Sequence, residues 1–237
     1  MIKHNFFGKE CHIDRALSNR SDIEDALKEK NFNFTNIAFV NQIHSAEICV
    51  IDNDKKIHGT QNLPKADAIV TNLPRLAIAV VTADCSPILL QDSQAKVIAV
   101  VHAGWRGARS NIIAAAVREM KNLGAEPAQI RADIGPMIHQ ESYRVGPEFI
   151  EEFITESAEN KKFFIADKAS SSHYLFDLPG YVKEKLQQQN IKNIHDINID
   201  TYANYKNYAS YRKATHEGVA DFGRNISLIM IDEESGA

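Results

Sequence analysis

The chain has 237 residues, 44% of them hydrophobic, which is enough to bury a substantial core. Its formal net charge is −4, its pI is near 6.1, and Lys and Arg are scattered, which excludes the electrostatic footprint of a nucleic-acid or anionic-membrane binder. Three widely spaced cysteines, Cys11, Cys49 and Cys85, argue against a disulfide framework and for a reducing compartment.

The opening MIKHNFFGKECHID has neither an apolar h-region nor a small-residue cleavage site, so it does not read as a signal peptide. No apolar run approaches the roughly 18 residues of a membrane span. A cytoplasmic protein is expected. No repeat, low-complexity stretch or linker divides the chain, so a single domain over residues 1–237 is expected.

Ser21 to Asn31 reads as a short helix: Ser21 and Glu24 have capping-box spacing, and Ile23 and Leu27 give one apolar face. Residues 36–51 form a strand region interrupted near Gln42–Ser45. Three β-rich runs follow, Leu76–Thr82, Pro87–Gln91 and Val97–Val101, the first and last apolar throughout as in strands buried on both faces. A helix from about Gly107 to Leu123 carries Ile112, Ile113, Ala116, Val117 and Met120 on one face, with Gly124 at C′. Ile130–Ile134 is a short strand ended by Gly135-Pro136. Helices are expected near Pro147–Thr155 and Leu178–Gln189, and strands near Ile194–Ile199 and Ile226–Ile231. Strands and helices mix without βαβ alternation, which gives an α+β class.

Two segments concentrate chemistry. TADCSP (Thr82–Pro87) and HAGWRG (His102–Gly107) both stand where an apolar strand gives way to polar residues and glycine. A hairpin of 85–91 against 96–102 around the loop Asp92–Ala95 sets Gln91 opposite Lys96 and Cys85 opposite His102. Directly opposed Cβ atoms lie about 4.5–5.5 Å apart, a gap that one zinc could bridge with bonds of about 2.0–2.3 Å. His44, which interrupts a β-like run in NQIHSAE, is the best third ligand. A His2Cys set leaves a fourth position open, the mark of a catalytic zinc, which would activate water and polarise an acceptor atom.

Each of these residues also has an ordinary structural role open to it. Cys85 could be a small buried hydrophobe, His44 a hydrogen-bonded structural residue, and Arg106 one half of a surface ion pair. Gly104 and Gly107 would let backbone approach a ligand, and Arg106 before a helix start could clamp an anion. Asp84 could support the metal, act as a base or form a turn; Asp67 in KADAIVTN is read as a turn former, with a functional role as the alternative. Tyr211 and Arg212 in NYASYRK could reach a ligand or belong to the core. His139, His173, His195 and His216 have no spacing that pairs them, and Cys11 and Cys49 receive no role.

The blocks QIHSAEICVI, DAIVTNLPRLAIAVVTADCSPILLQD, VIAVVHAGWRG, ADIGPMIHQESYRVGPEF and NYASYRK followed by FGRNISLI resemble those of one family. Its names include laccase-domain protein, polyphenol oxidase and purine nucleoside phosphorylase. The resemblance runs from about residue 36 to 230 and implies a four-layer α/β/β/α sandwich with mixed sheets. It implies a metal site, read here as Zn2+, held by His44, Cys85 and His102; the residue chemistry above, not the resemblance, makes Arg106, Asp84, Tyr211 and Arg212 the candidates for substrate contact. It further implies phosphorolysis of adenosine, inosine and methylthioadenosine, with adenosine deamination. The chain departs from the family pattern at Met137 and Asp200, where cysteines are common, and lacks its glycine-rich opening.

The zinc deaminase signature H-x-E with P-C-x-x-C is absent, so deamination would need a different site. A copper-dependent polyphenol oxidase is the alternative, because thiolate and imidazole also suit copper. A multicopper relay needs many histidines, however, and the nine present include no H-x-H pair. A metal-free cysteine hydrolase using Cys85 and His102, and a non-enzymatic partner-binding protein, are further alternatives. The expected partners are purine nucleosides and phosphate, with no nucleic acid and no membrane.

Overall fold

The computed structural model describes residues 1–11, 20–53, 63–220 and 222–232. In chain order, β1 (Ile2–Phe7), α1 (Arg20–Glu29), β2 (Asn36–Ala38), β3 (Ile48–Ile51), β4 (Ala68–Thr71) and β5 (Leu76–Thr82) make the first half. β6 (Ser86–Asp92), β7 (Val97–Ala103), α2 (Trp105–Arg109), α3 (Ile112–Asn122) and β8 (Arg131–Ile134) follow. The rest comprises β9 (Arg144–Val145), α4 (Pro147–Glu156), β10 (Phe164–Ala166), β11 (Tyr174–Phe176), α5 (Leu178–Gln187), β12 (Asn193–Asp196), α6 (Tyr211–Glu217) and β13 (Asn225–Ile231).

These elements build four layers. A four-stranded sheet, β1-β13-β5-β2, faces a six-stranded sheet, β12-β8-β6-β7-β4-β3. Strand alternation sorts the core. In β5, Leu76, Ile78 and Val80 point into the space between the sheets, while Ala77 and Ala79 point outward to Ile23 and Leu27 of α1. In β7, Ile98 and Val100 face the first sheet. Val97, Ala99 and Val101 face Ile113, Ala116, Val117 and Met120 of α3, with Tyr181 and Val182 of α5 in the same cluster. The central strands are apolar on both faces because each sheet is covered on both sides. The sandwich is therefore α/β/β/α. A third sheet, β10-β11-β9, adds Val145, Phe164 and Phe176 to the helical side. No helix among the described residues is long and apolar enough to cross a membrane.

Three expectations change. The strand region 36–51 divides between sheets: β2 pairs in parallel with β5, and β3 pairs with β4 in the other sheet. The single helix from Gly107 to Leu123 is two, because Asn111 takes a left-handed φ of 64° and stands as the N-cap of α3; Asn tolerates that conformation better than most residues. Helix α1 starts at Arg20, so Ser21 lies inside its first turn rather than at the cap.

Topology puts many chain crossings at one end of the sandwich. There β5, β7 and β8 finish, while β4, β6 and β13 begin, as the antiparallel registers Ala68↔Val101, Ser86↔Ala103, Ile88↔Ile134 and Asn225↔Thr82 require. Gly135, just past β8, closes that end: a Cβ there would lie 2.3 Å from Phe6 Cδ1 and 2.8 Å from Pro87 Cγ. Gly135→Ala is expected to force the Phe6 ring out of place and destabilise the protein by about 1–3 kcal/mol. Urea unfolding of the two proteins measures it, and a loss below about 0.5 kcal/mol would mean that the ring yields freely.

Candidate metal centre

The two links that pass from the first sheet to the second carry the principal side chains. Residues 39–47 run from β2 to β3, and residues 83–85 from β5 to β6. In the first link, Gln42 pairs its side-chain amide with the backbone of Val81 (Nε2 to O 2.8 Å, N to Oε1 2.9 Å), mimicking a strand partner at the edge of β5. His44 follows with φ 60°, and Asp84 of the second link has φ 83°. Non-glycine residues enter this region at a cost, and such residues cluster at functional sites.

Asp67, just before β4, fixes the first link. Its carboxylate accepts hydrogen bonds from the backbone N–H of His44 (2.9 Å), Ser45 (2.6 Å) and Ile43 (3.3 Å), and from the Ser45 hydroxyl (2.8 Å). The same carboxylate lies 2.9 Å from His102 Nδ1. Burial opposes its charge, but the hydrogen bonds from His102 and Ser45 prevail and hold the Asp67 pKa down to about 2. Asp67 is thus no turn former but a buried anion shared by both histidines. A carboxylate on Nδ1 fixes the His102 tautomer and leaves Nε2 for a ligand.

The ligand atoms of His44, Cys85 and His102 lie within 4.8 Å of one another, with His44 Nε2 4.0 Å from Cys85 Sγ. The two imidazoles meet edge to face at 4.8 Å. Zinc bonds of about 2.0–2.3 Å can span such a triangle with small adjustments, and the donor set suits zinc or copper. His102 is buried, Cys85 half-buried and His44 exposed, so the triangle opens to solvent on the His44 side.

The β6–β7 register differs from the sequence expectation. Asp92 pairs with Val97, and Pro87, not Cys85, with His102. The cause is the turn: Asp92 Oδ1 accepts from the N–H groups of Gln94 and Ala95 (both 3.0 Å), and Lys96 leaves the strand with φ 53°. Continued one step, this register sets Cys85 opposite Gly104. A shift by two residues keeps every side chain on its face, so Cys85 and His102 still converge, on a diagonal. Gly104 has a steric reason to be glycine: a Cβ would sit 2.8 Å from Cys85 Sγ and 3.4 Å from His44 Cδ2. Gly107 similarly admits the first link, its Cβ position lying 3.2 Å from Ser45 O.

Burial would push the Cys85 thiol up, but the charge and hydrogen bond of His102, with lesser contributions from His44, pull it down to about 6. His102 shifts the opposite way: burial disfavours the imidazolium, but the Cys85 charge and the Asp67 hydrogen bond hold it above its ordinary value. Without metal, this corner is a thiolate–imidazolium pair.

The remaining expected residues sit around this corner. Arg106 lies within α2, exposed, with its guanidinium 4.5 Å from the Trp105 ring centroid. The five-residue α2 is too short to supply the dipole expected of a long helix. Asp84 is buried and accepts from Thr201 Oγ1 (2.7 Å) and the Arg212 backbone N–H (2.6 Å). It therefore ties the second link to the carboxy-terminal segment; burial raises its pKa. That segment is also held by Asn225, whose side-chain amide pairs with both backbone groups of Ala209 (2.7 and 2.9 Å). Tyr211 stands 58% exposed with its ring against Phe222. Met137 and Asp200, the two departures from the family pattern, are β-bridge partners, and Asp200 accepts from the Ser142 hydroxyl at 2.6 Å.

His195 and His4 flank Asp133, His216 meets Tyr202, and His173 meets Ser170; no contact brings these to the triangle. Tyr143, half-buried beside the site, received no role from sequence. Its position on the strand-end side of the GPMIHQESYR block was the available signal.

Comparison with known proteins agrees with this architecture. The sequence pattern of the family described as multi-copper polyphenol oxidoreductase laccase matches residues 12–232. A Rickettsia prowazekii protein named purine nucleoside phosphorylase is 38% identical over 230 residues, covering 96% of this chain and 90% of its own. A protein from an unknown prokaryote named adenosine deaminase is 44% identical over 116 residues, covering 47% of this chain and 44% of its own. The crystal structure of the Bacillus licheniformis hypothetical protein YfiH superposes with TM-score 0.84 at 21% identity, covering 98% of this chain and 93% of its own.

Two outcomes are expected. Gly104→Ala should lower zinc affinity at least about 10-fold in a competitive chelator titration while the metal-free protein keeps its thermal midpoint, because the new methyl displaces a ligand rather than core. In metal-free protein, alkylation of Cys85 should accelerate as pH rises through about 6, since its depressed pKa makes it thiolate above that point. Peptide mapping separates it from Cys11 and Cys49; a midpoint above about 8, near that of an ordinary thiol, would remove the ion pair.

Proposed function

The chain belongs to the multi-copper polyphenol oxidoreductase laccase family, and from that premise we propose that it is a zinc-dependent purine nucleoside enzyme of the cytoplasm, one domain throughout. It phosphorolyses adenosine, inosine and methylthioadenosine to the free base and (methylthio)ribose 1-phosphate, and it deaminates adenosine. The relatives named for phosphorolysis and deamination support the chemistry. The observation that carries the reading is the convergence of His44, Cys85 and His102 with an open side. Among the described residues this is the one group of His, Cys, Asp and Glu close enough to hold a metal, whereas a multicopper relay needs several such groups.

When bound, zinc supplies a Lewis acid that polarises an acceptor atom and activates water near neutral pH. His102 is held by Asp67 with Nε2 turned to the ligand side, and Cys85 supplies a ready thiolate. His44 completes the set from a loop whose backbone the same Asp67 fixes. Phosphorolysis also needs a place for phosphate, and the exposed Arg106 guanidinium is suited to it. Asp84 acts as a positioning residue through Arg212 and Thr201.

A second reading has one observation in its favour: Asp67, His102 and Cys85 are arranged like the acid, base and thiolate of a cysteine hydrolase. His44 favours the metal reading, because a hydrolytic triad has no use for a second imidazole 4.0 Å from the sulfur.

Incubation of the purified protein with each nucleoside, with and without phosphate, tests the proposal together with metal analysis. About one zinc per chain, phosphate-dependent release of base and phosphate-independent deamination are expected. Cys85→Ala should lose the zinc and bring both activities to background. Full activity after exhaustive chelation, abolished by alkylation, would instead establish the metal-free triad.

A further inference from the structure

Two guanidinium groups beside the metal centre form no close ion pair with a carboxylate among the described residues, although the Arg212 charge acts on buried Asp84. Neighbouring arginines do form such pairs: Arg109 pairs with Glu152 and Glu156, Arg131 with Asp133 and Arg144 with Asp167. Arg106 instead stands over the Trp105 ring. Arg212 donates through Nη1 to the Arg144 carbonyl (2.7 Å), with its guanidinium carbon 5.3 Å from the Tyr143 ring centroid. Trp105 packs on Phe149 at 4.7 Å and Phe149 meets Tyr143 at 6.1 Å. One row of aromatic rings thus supports both cations, and its Tyr143 end lies within electrostatic reach of Cys85, Asp84, Arg212 and Arg106.

The Tyr143 hydroxyl makes no hydrogen bond to the described residues. Burial raises its pKa, with the charge on Cys85 acting in the same direction, so it remains a neutral donor. The site therefore offers two planar cations with most of their donors unused, and one hydroxyl without a hydrogen bond to the described residues. A purine nucleoside is uncharged and has no need of two guanidinium groups. The other substrate of phosphorolysis is an oxyanion, which their donor forks match.

We propose that Arg106, Arg212 and the Tyr143 hydroxyl form the subsite for inorganic phosphate beside Cys85. The inference rests on the phosphorolytic reading above. Arg212 and Tyr143 come from segments far apart in sequence, and Asp84 holds the Arg212 backbone in place without touching the anion. Tyr143 is new as a binding residue, and Arg212 acquires a defined ligand.

The test uses the full-length zinc-loaded protein and inorganic phosphate. Calorimetric titration gives the phosphate Kd, and initial rates give KM for phosphate and for inosine separately. Arg106→Gln and Arg212→Gln should each raise phosphate Kd and KM about 10-fold or more, and Tyr143→Phe about 3- to 10-fold, with smaller changes in nucleoside KM. Arg212→Lys, which keeps charge and backbone contact, should give a smaller rise than Arg212→Gln and serves if the latter does not fold. Arg118→Gln, at a residue paired with Glu119 on α3, should leave phosphate affinity unchanged. Unchanged phosphate affinity in folded Arg212 and Tyr143 variants overturns the subsite, as does absence of phosphate binding by the wild type. A wild type that binds phosphate through these residues yet cleaves no nucleoside leaves the subsite standing and removes the phosphorolytic reading. Phosphorolysis in which these variants raise only nucleoside KM does the reverse.

Discussion

One buried carboxylate organises the end of the sandwich where His44, Cys85 and His102 meet. Asp67 accepts from three consecutive backbone N–H groups, a serine hydroxyl and an imidazole, and its own backbone bonds to Glu47 and His102. An ionised group without water is costly unless its acceptor sites are filled. Here they are filled by groups that must themselves be ordered: the left-handed turn at His44 and the orientation of His102. The desolvation of one anion is thereby coupled to the placement of two imidazoles that belong to different parts of the chain.

That coupling is possible because of how the sheets are joined. The β2–β3 and β5–β6 links both cross between sheets at the same end of the sandwich, and each carries a ligand candidate. Side-chain amides substitute for missing strand partners where the chain leaves its ladders, with Gln42 against Val81 and Asn225 against Ala209. Gly104, Gly107 and Gly135 leave out the methyl groups that would keep these segments apart. The floor of the site is rigid core, with Val100 and Val101 leading directly into His102. The aromatic row from Trp105 to Tyr143 forms a wall on the helical side.

The electrostatics of the site divide into two kinds of charge. Asp67, His102 and Cys85 satisfy one another inside the protein, which draws the thiol and carboxyl pKa values down and the imidazole up. Arg106 and Arg212 are held by ring faces and a carbonyl, interactions that orient a guanidinium while leaving most of its donors unused. The first group is complete within the protein, whereas the second keeps guanidinium donors that no carboxylate of the described residues takes up.

Much of the architecture was legible in the order of residues. Apolar runs at 76–82 and 97–101 marked strands covered on both faces, and the helical period after Gly107 marked the face that covers them. The paired motifs around Cys85 and His102 marked where chemistry stands, because polar residues and glycine at a strand end have few packing reasons to be there. His44 was legible only as a break in a β-like run. The hairpin was legible as a hairpin but not in register, since the Asp92 turn contacts that shift it are side-chain hydrogen bonds with no periodic signature. Asp67 was legible as a residue with either a turn or a functional role, but not as the anchor of two histidines, because a carboxylate before a strand looks the same whether it ends a turn or receives five donors from distant residues. Tyr143 and Arg212 were likewise separate until folding placed them on one wall. Local pattern encodes which residues face inward at each element; only the tertiary structure decides which inward or edge-facing groups from different elements share a few ångströms, and charge and hydrogen bonding act at that range.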